Sequence, residues 1–224
     1  MGTPENSAIQ KLAIIITVPL RWKTSIITPV PKMPCPTEEK KRKKDYIPVA
    51  LTSIVMMCLE RLVTRKLCDD VKDVLDPFQF VYKDKRGSDD AVNTLVHLVL
   101  KHLEKPEACA RVPFADFSSA FNTIQTHVLL ERMKTMKVNP FIIKWYHSFL
   151  TDRSQLVRVN RPHCISLATN TGVPQGCVSS PLLYTLYTNN CTSTTSRNFI
   201  VKLADDSAVL SLLFAHSEID MYFS

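Results

Sequence analysis

Asp205 and Asp206 stand side by side in KLADDSAVL, residues 202–210, a largely apolar run. Carboxylates in such surroundings are costly unless they are paired or bind a cation. A third acid, Asp116, closes another short β-run, ARVPFAD, residues 110–116. Clustered carboxylates repel one another, and hard divalent cations such as Mg²⁺ or Mn²⁺ relieve that repulsion through oxygen ligands. Two such ions roughly 3.5–4 Å apart activate an attacking hydroxyl and stabilise a leaving pyrophosphate. Adjacent residues of one strand point to opposite faces. Asp205 and Asp206 therefore converge only at a hairpin turn, and Asp116 joins them only from a neighbouring strand. A solvated turn is the other reading of the Asp205-Asp206 pair, and the acids alone leave both open.

The elements that would position these acids are legible in the spacing of apolar residues. Residues 199–203 and 208–213 read as two short strands hinged at the acids. Residues 52–69 form an amphipathic helix capped by Thr52 or Ser53, with Ile54, Met57, Cys58, Arg61, Leu62 and Arg65 advancing at helical spacing. A second helix spans 88–104, with Ser88 as its cap and Ala91, Leu95, Leu98 and His102 along one face. Helical periodicity returns over 122–137, and Asn139-Pro140 opens another helix over 139–151. Residues 154–160 alternate as a strand, and a Gly/Pro loop from residue 172 leads into a helix with Ser180 and Pro181 at its mouth. The first half of 24–53 is a strand closed by prolines, and Asp76-Pro77 is a turn. Helices mixed with separated strands define an α+β fold.

The chain has 224 residues, a net charge of +7 and a hydrophobic content of 45%. That is the profile of a globular protein, and its basic excess suits a polyanionic partner. Five consecutive basic residues, Lys40, Lys41, Arg42, Lys43 and Lys44, read as a solvated loop or as a phosphate-binding patch. The seven cysteines are odd in number, widely spaced and without a C-x-x-C pair. They suit reduced thiols in an intracellular protein, of cytoplasm or nucleus, with no disulfide-linked partner. The apolar run 12–20 is too short to span a bilayer, so no membrane anchor is expected.

FADFSSAFNTI (114–124), GVPQGCVSSPLLYTLYTN (172–189) and KLADDSAVL occur in this order. They resemble the three palm motifs of reverse transcriptases from non-LTR, LINE-type retrotransposons of the jockey-like group, and the upstream segments agree collinearly from about residue 20. The resemblance implies a right-hand polymerase: a fingers-like subdomain over 20–108, and a palm-like subdomain over 109–213 with a small antiparallel sheet backed by helices. An N-terminal extension over 1–19 and a tail over 214–224 flank them, with no endonuclease domain and no thumb. It implies that Asp116 and Asp205 bridge catalytic metals, with Asp206 the supporting acid. The backbone at Phe117, Ser119 and Ala120 faces metal and triphosphate, and Phe121 lies under the sugar and selects deoxynucleotides. Gln175 and Gly176 border the incoming nucleotide, Gln175 as donor and acceptor and Gly176 by allowing close backbone approach.

The implied activity is RNA-directed DNA synthesis, joining a dNTP to a primer 3′-hydroxyl on an RNA template. Two departures stand out. Ile47 occupies the position of an arginine expected to grip the triphosphate, and Leu203 replaces the usual aromatic before the acids. A decayed, inactive retrotransposon fragment that at most binds nucleic acid through Lys40–Lys44 and the palm is the alternative. The missing strands beyond residue 213 are expected to leave the hairpin with an exposed edge.

Overall fold

The computed structural model describes residues 17–31, 46–80, 86–117, 120–158, 164–169, 171–203 and 206–214. The chain divides into two compact units, each discontinuous in sequence: 1–71 with 121–183, and 72–120 with 184–224.

The first unit holds a four-stranded mixed sheet. A helical turn, α1 (Leu20–Lys23), precedes β1 (Ser25–Pro31), and β2 is Tyr46–Leu51. The two pair antiparallel, with Pro29 opposite Pro48 and Val30 opposite Ile47. β5 (Arg153–Arg158) joins β1 in parallel, over Ser25–Ile27 only. Its pairing stops before Pro29, which has no N–H to offer a ladder. β6 (Cys164–Thr169) completes the order β2-β1-β5-β6.

The helices of this unit are α2 (Ile54–Val71), α4 (Thr126–Thr135), α5 (Pro140–Leu150) and the start of α6 (Ser180–Tyr187). Ser53 caps α2, its Oγ accepting from the Met56 N–H at 3.2 Å. Asn139 caps α5 through its side chain, with Pro140 in the first turn, as the Asn-Pro pair predicts. The buried face of α2 differs from expectation. Met56, Leu59, Glu60, Val63, Leu67 and Val71 are inside, while Ile54 and Leu62 are exposed. The expected stripe carries Arg61 and Arg65. The observed one is apolar at every step but Glu60, so more apolar area leaves water when that face turns inward. On α5, Tyr146 and Phe149 are fully buried, and Phe149 stacks on Trp145 with ring centroids 5.3 Å apart.

The second unit is built on β8 (Asp206–Phe214). β7 (Asn198–Leu203) pairs antiparallel along one edge, from Asn198 opposite Ser211 to Leu203 opposite Asp206, so the two strands form a hairpin. Along the other edge run β3 (Ala108–Arg111) and then β4 (Phe114–Asp116). The two keep one register against β8. Arg111 faces Ser211 and Phe114 faces Ala208, and the break between them falls at Val112-Pro113, where Pro113 still accepts the Val209 N–H at 3.0 Å.

Helix α3 (Ser88–Leu103) packs on this sheet. Ala91 and His102 are buried along its predicted face. Its cap is Gly87 rather than Ser88, and the Gly87 N–H donates to the Asp90 carboxylate at 2.9 Å. An acid three residues after the cap satisfies an end amide that a serine one position later cannot reach. The core joins Phe80, Ala91, Val201 and Ala208, with Phe78, Leu95, Val112 and Leu203 against it.

The expected exposed edge of the hairpin is covered at one point. Phe78 and Phe80 bond to both sides of Lys202 in β7: the Lys202 N–H donates to the Phe78 carbonyl, and the Phe80 N–H to the Lys202 carbonyl. A segment far upstream thereby engages the strand edge at Lys202. Among the described residues, no helix is long and apolar enough to cross a membrane.

Candidate active site

Asp116 is the last residue of β4 and Asp206 the first of β8, and the register sets them directly opposite each other. Residues opposite one another on antiparallel strands share a face, with Cα atoms about 4.5–5.5 Å apart. Two carboxylates so placed repel. Both are exposed, and among the described residues neither has a cationic partner. Carboxylates are acceptors only, so the pair presents hard oxygens and no donor, the donor set that suits a divalent cation. Asp205 lies outside the described residues, as do Ser119 and Lys40, Lys41, Arg42, Lys43 and Lys44. Among the described residues no group of three metal-ligating side chains occurs.

The hairpin bearing Asp206 is anchored from behind by an ion pair that sequence reasoning read as a plain turn. Lys202 Nζ lies 2.6 Å from Asp76 Oδ2, and the two side chains are 3% and 6% exposed. The same ammonium donates to the carbonyls of Thr188 and Cys191, each at 3.0 Å. Asp76 Oδ1 accepts the Phe78 N–H at 2.9 Å, and the Asp76 N–H donates to Asn189 Oδ1 at 2.8 Å. Every proton of the ammonium is engaged, so the buried charges are both paired and hydrogen-bonded. The available signal was a lysine inside the apolar strand NFIVKL.

Phe117 is half exposed and Ala120 buried, and both belong with Asp116 and Asp206 in the second unit. Phe121, Gln175 and Gly176 belong to the first. There the Val173 N–H donates to the Phe121 carbonyl at 2.8 Å, which brings the end of the Asp116 motif to the start of the 174–179 loop. Gly172 has φ +71°, and a Cβ there would sit 2.9 Å from the Asn122 backbone, so only glycine fits. Arg153, 2% exposed, fixes the carbonyls of Leu150 (3.2 Å), Thr171 (3.0 Å) and Gly172 (2.6 Å). Burial lowers its pKa to about 10.

Beyond Gly172, the Ala50 N–H donates to the Gln175 carbonyl at 2.8 Å, and the Ser180 hydroxyl to the Pro174 carbonyl at 2.6 Å. Gly176 adopts φ +101° against Val49 and Ala50. Ile47 sits within the β1–β2 ladder of this unit.

A strand-paired carboxylate hairpin in one unit and a glycine-framed loop in the other, with their motifs in this order, are the parts of a fingers-and-palm polymerase fold. The chain belongs to the reverse transcriptase (RNA-dependent DNA polymerase) family, whose model matches residues 38–213. It is 29% identical over 174 residues to the probable RNA-directed DNA polymerase from transposon BS of Drosophila melanogaster, covering 76% of this chain and 18% of that protein. To the RNA-directed DNA polymerase from mobile element jockey of the same species it is 28% identical over 238 residues, covering 97% and 25%. The chain thus spans a quarter or less of the length of these curated relatives. Among solved structures, apo telomerase from Candida tropicalis shares the fold, with a TM-score of 0.60, 10% identity, and coverage of 97% of this chain and 44% of that one.

Proposed function

We propose that this chain forms the fingers (20–108) and palm (109–213) of a jockey-like reverse transcriptase. In this reading a primer 3′-hydroxyl attacks the α-phosphate of a dNTP opposite an RNA template. The observation that carries it is the register of Asp116 against Asp206 at the end of the β7–β8 hairpin. Mg²⁺ or Mn²⁺, held by Asp116, Asp205 and Asp206, would supply charge neutralisation for the pyrophosphate leaving group. The protein's own residues position the substrates: Phe121 beneath the sugar, Gln175 and Gly176 along the nascent base pair, and the backbone at Phe117, Ser119 and Ala120 toward the triphosphate. Positioning and preorganised charge account for most of the rate enhancement available to such a site.

The test is primer extension on an RNA template with Mg²⁺, comparing the wild-type chain with Asp116→Asn and Asp205→Asn. Incorporation that both variants abolish supports the assignment, and equal incorporation by all three refutes it. Ile47 favours a second reading, a fragment that binds nucleic acid without catalysis, since isoleucine offers a triphosphate no donor. That reading predicts salt-sensitive RNA binding that Asp205→Asn leaves intact and neutralisation of Lys40–Lys44 weakens.

A further inference from the structure

The loop carrying Gln175 and Gly176 is tied down at its exit by a residue that neither the motifs nor the charge pattern implicates. Glu60 lies on α2 and is completely buried. Its Oε1 accepts the Ser179 hydroxyl at 2.8 Å, and the backbone amides of Val178 and Ser179 lie close enough to its carboxyl to favour the charged form. Oε2 has no partner in the described structure. Its helical neighbours on the same face, Met56, Leu59, Val63 and Leu67, are all apolar and buried.

A carboxyl in that setting is a poor stabiliser. Desolvation is its largest electrostatic effect and raises its pKa, and the three donors from the loop offset this only in part. A well-packed apolar side chain would avoid the penalty. What an apolar side chain cannot do is hold the hydroxyl of a loop residue 119 positions away in the chain. The entry of that loop is held by β2 through Ala50 and by its own helix through Ser180, so Glu60 supplies the third restraint, at the exit.

We infer that Glu60 is a positioning residue for the nucleotide-bordering loop, setting the conformation of Gln175 and Gly176 through its buried bond to the Ser179 hydroxyl. Its meaning for catalysis rests on the polymerase reading above, while its grip on the loop does not. Glu60 touches no reacting atom, so its effect falls on how the incoming nucleotide is received rather than on the chemical step.

The experiment compares Glu60→Gln, which keeps an acceptor, Glu60→Leu, which removes it, and Ser179→Ala, which removes one donor and leaves the helix face intact. Two readouts are taken on the full chain: amide hydrogen exchange across residues 174–179, and single-nucleotide extension kinetics. Glu60→Leu should lower amide protection across residues 174–179 about tenfold, the equivalent of one lost hydrogen bond, with the 198–214 hairpin unchanged. It should raise KM for dNTP about tenfold and change kcat less than about threefold. Ser179→Ala should fall between, and Glu60→Gln should keep protection and KM near wild type. Loop protection unchanged in both Glu60→Leu and Ser179→Ala overturns the inference, as does a loss in Glu60→Gln as large as in Glu60→Leu. A wild-type chain that incorporates nothing refutes the polymerase reading instead, and the exchange comparison then decides the inference by itself.

Discussion

Among the described residues two carboxylates lie buried, one in each unit, and they are stabilised by different means. Asp76 faces Lys202 at 2.6 Å, in a pair whose ammonium is saturated by two further carbonyls. Among the described residues Glu60 has no cation beside it and relies on the Ser179 hydroxyl, with the Val178 and Ser179 amides nearby. In the first case the charges cancel in place, and the network ties three chain segments behind the hairpin. In the second, burial works against the charged form and the loop's donors resist it. A buried charge therefore marks different liabilities in the two units: loss of a partner in one, change of pH in the other.

The largest break in this comparison should come from Lys202→Met, which leaves Asp76 buried without its cation. Unfolding by urea should show a loss of about 3–5 kcal/mol, mostly recovered when Asp76→Leu is added. A loss below about 1 kcal/mol would place the pair in the same class as Glu60. Next is Gly172→Ala, which forces a Cβ into the Asn122 backbone at positive φ. It should cost about 2 kcal/mol or more in the same assay, with the loop beyond it losing exchange protection.

Smaller and dependent on pH is Glu60→Gln. Burial raises the folded-state pKa of Glu60, so the unfolded chain releases this proton first as pH rises. Wild-type stability then declines from the ordinary carboxylate range up to the folded pKa and is flat above it. The variant, which does not titrate, should equal wild type at low pH and gain on it as pH rises, and thermal melts across pH 4–9 would read the difference. The smallest effect concerns Cys177, whose thiol is buried beside Glu60 and pushed up to about 12. Iodoacetamide at pH 8 should label the exposed Cys58 and Cys191 and spare Cys177, as peptide mass spectrometry would show. Rapid labelling of Cys177 would mean that the surroundings of Glu60 are wet.

Much of this architecture follows from local pattern. α3 and α5 begin and end close to where their caps and periodicity place them, and the carboxylate hairpin follows from two apolar runs broken at acids. The parts that escaped have specific causes. β2 contains Pro48, which counts against a strand, yet it pairs with β1 along its whole length, Pro48 opposite Pro29. The face of α2 is hard to assign from sequence because its two candidate stripes are offset by one or two residues, and a single glutamate makes the buried one look less apolar. Glu60, Arg153 and Asp76 read in sequence like any solvated charge, and Lys202 stands out only as a lysine in an apolar run. Several of their partners lie more than 100 positions away, as Ser179 does from Glu60 and Asn189 from Asp76, and composition and spacing carry no record of them.

The interrupted edge strand has a consequence for how changes in length are tolerated. Val112-Pro113 gives up a ladder amide but keeps step, because two residues on one side answer two on the other. The joint works as a phase-keeper. Deleting one residue there, with β3 held in place, would shift every later position by one, turn the Asp116 side chain to the opposite face and separate it from Asp206. Deleting two would restore the parity but set a different residue opposite Asp206. A substitution at Pro113 is a local matter, whereas any change in the residue count between Arg111 and Phe114 resets the alignment of the two acids.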